Sequence, residues 1–143
     1  MNTDLMFSSE DTSWETPSLL FNTLNSEFNF TLDPCCTKST AKCNKYYTEK
    51  ENGLIQDWSQ DVVFVNPPYG RQVKFWVEKA FNEYIKGATV VMLLPARTDT
   101  KWFHDYIYGI AEIRFMKGRV KFLINKKELN PAPFPSMIVI FKP

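Results

Sequence analysis

The middle of the chain is Val62-Val63-Phe64-Val65-Asn66-Pro67-Pro68-Tyr69, an apolar run closed by two adjacent prolines. The run predicts a buried strand, and the prolines predict that it ends abruptly. Neither proline has a backbone N–H, so the turn offers only carbonyl acceptors. Such a turn is suited to an amino group: the Asn66 side-chain oxygen and the Pro67 carbonyl accept both hydrogens of an NH2, and the Tyr69 ring lies flat against the heterocycle that bears it.

The Asn66-Pro67-Pro68-Tyr69 turn resembles that of S-adenosylmethionine-dependent amino-methyltransferases, specifically the small DNA N6-adenine methyltransferases of bacteriophages and prophages. The resemblance implies that these four residues are catalytic and receive an adenine flipped out of double-stranded DNA. The chemistry explains the residue types, because two fixed acceptors draw the amino nitrogen toward a tetrahedral geometry and stabilise its growing positive charge. The implied cofactor is S-adenosyl-L-methionine.

Two acidic residues upstream of the turn are candidates for cofactor binding. Phe28-Asn29-Phe30-Thr31-Leu32 alternates as a strand does and runs into Asp33-Pro34-Cys35. In the resembled family a similar acid-proline pair precedes the loop around the methionine part of the cofactor, so Asp33 would hold its amino group. Asp57 resembles the family's acid that accepts a hydrogen bond from the cofactor's adenine, and a plain turn aspartate is the alternative.

The loop after Asp33 departs from the family pattern. The family usually has glycines there, which let a ligand approach closely, and this chain has instead small residues at Cys35, Cys36, Ser39 and Ala41. The details of the loop therefore stay open.

The segment Trp14-Glu15-Thr16-Pro17 predicts the start of a helix, with Thr16 as N-cap and Pro17 in the first turn. In the resembled family a Thr-Pro pair of this kind closes over the cofactor carboxylate, and capping alone would explain the pair equally well. Trp14 either stacks on a ligand or packs in the core. For the ribose hydroxyls the sequence offers Glu49, with a solvated loop charge as the alternative.

The remaining periodic segments predict the scaffold. Helical spacing favours helices at 73–86 and 99–108, and apolar or alternating runs favour strands at 88–94, 112–115, 120–124 and 136–141. The order of elements predicts an α/β fold: a Rossmann-like class I methyltransferase sheet, mostly parallel, with an antiparallel C-terminal hairpin.

Charge is distributed unevenly along the chain. Up to Val63 there are ten acids and four Lys or Arg, and from Phe64 onward thirteen Lys or Arg and six acids. A cationic cofactor and an anionic nucleic acid would prefer these respective halves, unless the lysines only form solvated helix faces. The segment 125–135 is the nearest candidate for a groove contact. The candidates for phosphate contact are Arg71, Lys74, Arg97, Lys101, Lys117, Arg119, Lys126 and Lys127.

Length and composition predict one methyltransferase domain at 13–143 after a polar, disordered tail at 1–12. No stretch approaches membrane-spanning length and the N-terminus lacks a signal pattern, so a cytoplasmic location is expected, in the host cytosol if the protein is phage-encoded. The spacing of Cys35, Cys36, Cys43 and His104 does not fit a zinc site, so no metal is expected.

Other functions are compatible with the same turn. Methyltransferases acting on cytosine N4, on RNA adenine or on a protein glutamine also receive a planar NH2. A non-catalytic nucleic-acid-binding module that kept the fold is an alternative from a different class, favoured by the missing glycines and the unclear ribose acid. The presence of Asp33 and Asp57 beside an intact turn favours the enzyme.

Overall fold

A computed structural model of the chain describes residues 15–128 and 130–143. The predicted tail at 1–12 and the candidate cofactor contact Trp14 lie outside these described residues. The helices are α1 (Ser18–Phe28) and α2 (Val73–Ile85), with a 3₁₀ turn at Gly53–Ile55 and a π-helical turn at Phe103–Ile107. The strands are β1 (Leu32–Asp33), β2 (Lys45–Tyr46), β3 (Val62–Val65), β4 (Thr89–Pro95), β5 (Glu112–Phe115), β6 (Leu123–Ile124), β7 (Lys127–Glu128) and β8 (Ser136–Phe141).

Six of the strands form one sheet in the order β2-β1-β3-β4-β8-β5. The first four are parallel neighbours, and β8 lies antiparallel between β4 and β5. Strand β4 is buried from its second residue to its last, as expected for a strand covered on both faces. The predicted α/β fold is confirmed: the sheet is mostly parallel, its C-terminal strands pair antiparallel, and it fits a Rossmann-like methyltransferase.

The helices pack on the sheet through aromatic side chains. Phe21 of α1 meets Phe64 of β3 edge-on, with ring centroids 5.2 Å apart, and Tyr84 of α2 lies 5.6 Å from Phe141 of β8. The fully buried Glu83 of α2 accepts a hydrogen bond from the backbone of Trp58 and thereby fixes the loop that leads into β3. Across residues 15–128 and 130–143, no helix is long and apolar enough to cross a membrane.

Two predictions about the N-terminal elements are wrong. Thr16 is not a cap, because α1 begins after Pro17 and has no side-chain cap hydrogen bond. The predicted strand that starts at Phe28 is shorter, because α1 extends through Phe28 and ends at Asn29 in the left-handed conformation (φ 56°). Only Leu32 and Asp33 then pair with neighbouring strands.

The C-terminal connection also differs from the prediction. Of the expected strand 120–124, only β6 pairs, and its partner is β7 rather than the large sheet. The expected loop 125–135 therefore begins with a small hairpin, whose turn residues Asn125 and Lys126 have positive φ angles of 51° and 65°. Leu123 also bridges Glu15 through two backbone hydrogen bonds of 2.8 and 3.0 Å, so the hairpin joins the N-terminal segment.

Candidate active site

A small pocket lies at the carboxyl ends of the parallel strands β1 and β3. Strand β1 ends at Asp33, and Asn66 follows the last residue of β3. The loops after neighbouring parallel strands meet at this edge, where open α/β sheets bind their ligands. The pocket is lined by Glu15, Thr16, Asp33, Cys35, Cys36, Thr40, Lys42, Phe64 and Asn66. Three of the predicted cofactor residues thus line the same pocket as the predicted catalytic asparagine.

Asp33 places a buried carboxylate in this pocket, with only 3% of the residue exposed. The carboxylate accepts backbone hydrogen bonds from Cys35 (3.3 Å) and Lys42 (3.0 Å). Burial raises the pKa of Asp33 from 3.8 to about 6, against the opposing effect of these N–H groups and of the Lys42 charge. In the described part of the chain, no cationic side chain forms an ion pair with this carboxylate.

Thr16 contributes a hydroxyl that is not used by the described protein. The residue is 2% exposed, and its Oγ1 has no hydrogen-bond partner among the described residues. Leaving a buried hydroxyl unbonded costs about 1–3 kcal/mol, which a polar ligand group would recover. The neighbouring prediction, Pro17, precedes α1 and does not line the pocket.

The loop from Cys35 to Lys42 is held by hydroxyls and thiols rather than by glycines. Thr37 and Thr40 exchange hydrogen bonds between backbone and side chains, including Thr37 N to Thr40 Oγ1 at 2.9 Å. The Cys36 thiol donates to the Asp33 carbonyl at 3.6 Å. Burial raises the pKa of the Cys35 and Cys36 thiols, which keeps them neutral. These contacts give the loop a fixed shape without the glycines that are usual in the resembled family.

Glu15, Lys42 and Lys126 form an ion cluster at the rim of the pocket, and the sequence analysis missed it. The Glu15 carboxylate receives Lys42 Nζ at 2.6 Å and Lys126 Nζ at 3.0 Å on both oxygens. Lys126 also donates to the Ser39 carbonyl at 3.1 Å. The only available signal was the position of Glu15 beside Thr16, because its partners are 27 and 111 residues away along the chain.

The proline turn joins this pocket through Asn66. Asn66 is half-buried, Pro67 is buried and Pro68 is half-buried. Among the described residues, the Asn66 side chain makes no hydrogen bond with the protein, so its amide oxygen is available as an acceptor. The two prolines add no donor. The role of the turn as an acceptor for an amino group stays a prediction.

The Tyr69 ring lies inside the protein. The residue is 6% exposed, and its ring meets Phe122 and Phe134 edge-on at centroid distances of 5.7 and 5.3 Å. Its hydroxyl donates to the Leu93 carbonyl at 3.3 Å, and burial raises its pKa. A base can stack on this ring only after the ring or its aromatic neighbours move, and the stacking role stays a prediction.

The other two predicted cofactor acids do not line the pocket. Asp57 is exposed and accepts a hydrogen bond from Ser59 N at 2.9 Å, which is the plain turn contact named as the alternative. Glu49 lies in an exposed turn. The loop that carries Asp57 nevertheless packs against the loop after Asp33. Gly53 lies so close to Pro34 that a Cβ at this position would be 2.1 Å from the Pro34 carbonyl oxygen.

All eight candidates for phosphate contact are exposed. Lys126 forms an ion pair with Glu15, and its contact with phosphate stays a prediction, as for the other seven. The Arg119 guanidinium approaches the Ala132 carbonyl at 3.5 Å, and that of Arg97 lies 6.0 Å from the Phe134 ring centroid. Within the described ranges, no three His, Cys, Asp or Glu side chains are grouped to hold a metal ion.

Comparison with known proteins agrees with this geometry. The family model described as DNA N-6-adenine-methyltransferase (Dam) matches residues 3–143. The DNA N-6-adenine-methyltransferase of Haemophilus phage HP1 (strain HP1c1) is 31% identical over 135 residues, which cover 91% of this chain and 78% of that protein. The DNA N-6-adenine-methyltransferase of Escherichia phage T1 is 32% identical over 107 residues, which cover 73% of this chain and 44% of that protein.

The family match spans nearly all of the chain and includes both the Asp33 loop and the Asn66 turn. The phage HP1 relative covers the chain almost as completely. This chain therefore belongs to the DNA N-6-adenine-methyltransferase (Dam) family.

Proposed function

We propose that this chain transfers a methyl group from S-adenosyl-L-methionine to the N6 amino group of adenine in double-stranded DNA. The observation that carries the proposal is that Asn66 and Asp33 line one pocket at the carboxyl edge of the sheet. An acceptor for an amino group and an anion for a cationic cofactor are then neighbours, as methyl transfer requires. In a phage-infected cell the reaction would take place in the host cytosol.

The pocket residues fit the amino-acid end of the cofactor. The carboxylate of Asp33 has no cationic partner in the described part of the chain, and the Thr16 hydroxyl there is buried and unbonded. We assign Asp33, Thr16 and Cys35 with their neighbours Pro17 and Pro34 to cofactor binding. When bound, S-adenosylmethionine supplies an electrophilic methyl group on a sulfonium sulfur.

The base-binding side is assigned to the turn Asn66-Pro67-Pro68-Tyr69. The Asn66 amide oxygen and the Pro67 carbonyl would accept the two amino hydrogens of a flipped adenine. Both acceptors are fixed before the reaction, so they stabilise the charge that grows on the nitrogen without reorganising. No strong base is needed, because the proton can leave the nitrogen after the methyl group has been transferred.

Asp57 and Glu49 receive weaker roles in the proposal. Asp57 lies on the loop that contacts Pro34 through Gly53, and we keep it as the candidate acceptor for the amino group of the cofactor's adenine. Glu49 makes no contact with the described residues that favours ribose binding over solvation. The exposed basic residues Arg71 and Lys74 lie on either side of the start of α2, soon after the turn, which supports a role in holding the DNA backbone beside the flipped base.

The test uses labelled S-adenosylmethionine with plasmid DNA, RNA and a glutamine-containing protein as separate acceptors. We expect incorporation into DNA alone, at adenine N6, with the sites mapped by sequencing. Asn66→Ala should lower the methylation rate by about 10²-fold or more, because it removes an acceptor used in the transition state. Binding of S-adenosylhomocysteine to that variant should stay near the wild-type level.

Four outcomes would contradict the proposal. Label in RNA or protein would reassign the acceptor, and label on cytosine N4 would reassign the base. Equal rates for Asn66→Ala and the wild type would remove the role of the turn. DNA binding without any binding of S-adenosylhomocysteine would favour a non-catalytic module.

A further inference from the structure

The charges around the pocket are unevenly paired, and this imbalance points to a ligand group. Both oxygens of Glu15 are bonded to Lys126, and one of them also receives Lys42. One carboxylate is therefore shared by two ammonium groups. Asp33, by contrast, is an anion without an ion-pair partner among the described residues.

Lys42 is the cation with unused capacity. Its side chain is 12% exposed, the residue lines the pocket together with Asp33, and its Nζ lies 5.9 Å from the Phe21 ring centroid. An ammonium group has three N–H donors, and in the described part of the chain Lys42 Nζ uses one of them, toward Glu15. A largely buried ammonium with two unused donors favours a second anionic acceptor.

Lys42, which shares Glu15 with a second lysine, and Asp33, which has no ion-pair partner among the described residues, therefore line the same small pocket. An α-amino acid offers the complementary pair, a carboxylate and an ammonium on neighbouring atoms. We propose that Lys42 binds the carboxylate of the methionine part of S-adenosylmethionine while Asp33 holds its amino group. This inference rests on the proposed function, and it adds a side-chain cation to the carboxylate contact expected of the Thr16-Pro17 pair.

The site explains two features of the local structure. The backbone N–H of Lys42 is bonded to Asp33 at 3.0 Å, so a single residue contacts the anion with its main chain and presents a cation with its side chain. Glu15 holds that cation at the pocket, and Lys126 supplies the charge that keeps Glu15 from neutralising it fully.

The experiment measures the dissociation constants of two ligands by calorimetry. The first is S-adenosylhomocysteine, and the second is its decarboxylated analogue, which keeps the amino group and lacks the carboxylate. The proteins are the wild type, Lys42→Met, Lys42→Arg and the control Lys38→Met, which removes an exposed lysine from the same loop. Circular dichroism and thermal melting establish that each variant is folded.

We expect Lys42→Met to weaken S-adenosylhomocysteine about tenfold or more and to leave the decarboxylated analogue near its wild-type affinity. Lys42→Arg should recover part of the loss because it keeps the charge. Lys38→Met should bind both ligands as the wild type does. Equal weakening of both ligands by Lys42→Met would assign Lys42 a structural role and overturn this inference alone. Failure of the wild type to bind S-adenosylhomocysteine at all would overturn the proposed function and the inference with it.

Discussion

Binding of S-adenosylhomocysteine should weaken as the pH falls, because its amino group needs Asp33 as a carboxylate. Burial raises the pKa of Asp33 to about 6 in the ligand-free protein. At about pH 5, one unit below this value, roughly one molecule in ten carries the charge, whereas at about pH 7 nearly all do. If binding requires the ionised form, the dissociation constant should rise about tenfold between pH 7 and pH 5.

The assay is calorimetric titration at constant ionic strength over this pH interval, with Asp33→Asn as the matched variant. Asp33→Asn keeps the shape but cannot ionise, so its weaker affinity should be independent of pH. Of the other titratable groups near Asp33, the thiols of Cys35, Cys36 and Cys43 have pKa values raised by burial and stay neutral throughout. Glu15 lines the same pocket; burial opposes its ionisation, but the hydrogen bonds and charges of Lys42 and Lys126 lower its pKa below the ordinary value.

Two results would refute the reasoning. A wild-type affinity that is constant between about pH 5 and pH 7 would mean that Asp33 is ionised throughout or does not contact the ligand. The same pH dependence in Asp33→Asn would assign the titration to another group. Repeating the titration with His104→Gln identifies that group if it is the lone histidine, which is exposed and bonded to the Thr98 carbonyl at 2.8 Å.

Three further predictions concern stability. Because the pKa of Asp33 is higher in the folded protein than its ordinary value of 3.8, protonation of Asp33 stabilises the fold at pH values below 3.8, and this contribution is lost as the pH rises through about 6. In denaturant titrations, the free energy of unfolding of Asp33→Asn should therefore rise relative to that of the wild type by up to about 3 kcal/mol between pH 4 and pH 7. Gly53→Ala should lower the free energy of unfolding by about 1–3 kcal/mol in the same assay, because the new Cβ would meet the Pro34 carbonyl. The control Ile55→Ala should change stability little, because that residue is 74% exposed. Tyr69→Phe should lower the unfolding free energy by about 1 kcal/mol through loss of the bond to Leu93 while keeping the DNA dependence of methylation, and an unchanged melting temperature would contradict it.

The sequence was most informative where apolar character is continuous or strictly periodic. The helix predicted at 73–86 and the strand predicted at 88–94 match α2 and β4 within one or two residues. These elements bury a whole face or two faces, so their pattern follows directly from the fold. The strand before the proline turn was predicted for the same reason.

The errors occurred where long-range contacts decide the local structure. Val120 and Phe122 are both buried, and this alternation predicted a strand at 120–124. The backbone there instead bonds to Ala132 and to Glu15, so the segment does not join the large sheet. Glu15 itself was passed over because its lysine partners are remote in sequence. No local pattern encodes such pairings.

The same distinction holds for the candidate site: local sequence patterns identify some of its residues and miss those that depend on long-range contacts. Asp33 and Asn66 were recognisable because each stands at the carboxyl end of a strand, directly before a proline, in a pattern that resembles the family's. The pocket's charge balance was not recognisable, because it depends on Lys42 and Lys126 reaching one carboxylate from different directions.

The left-handed backbone of Lys126 has a consequence for how this hairpin could be altered. Two-residue hairpin turns favour Asn-Gly, and a side chain at φ 65° is held against its intrinsic preference. Replacing Lys126 with glycine would relax the turn but would cut the tether to Glu15 and Ser39. A substitution chosen only for its backbone preference would therefore loosen the attachment of the hairpin to the loop after Asp33. At this position the local conformational preference and the tertiary contacts favour different residues.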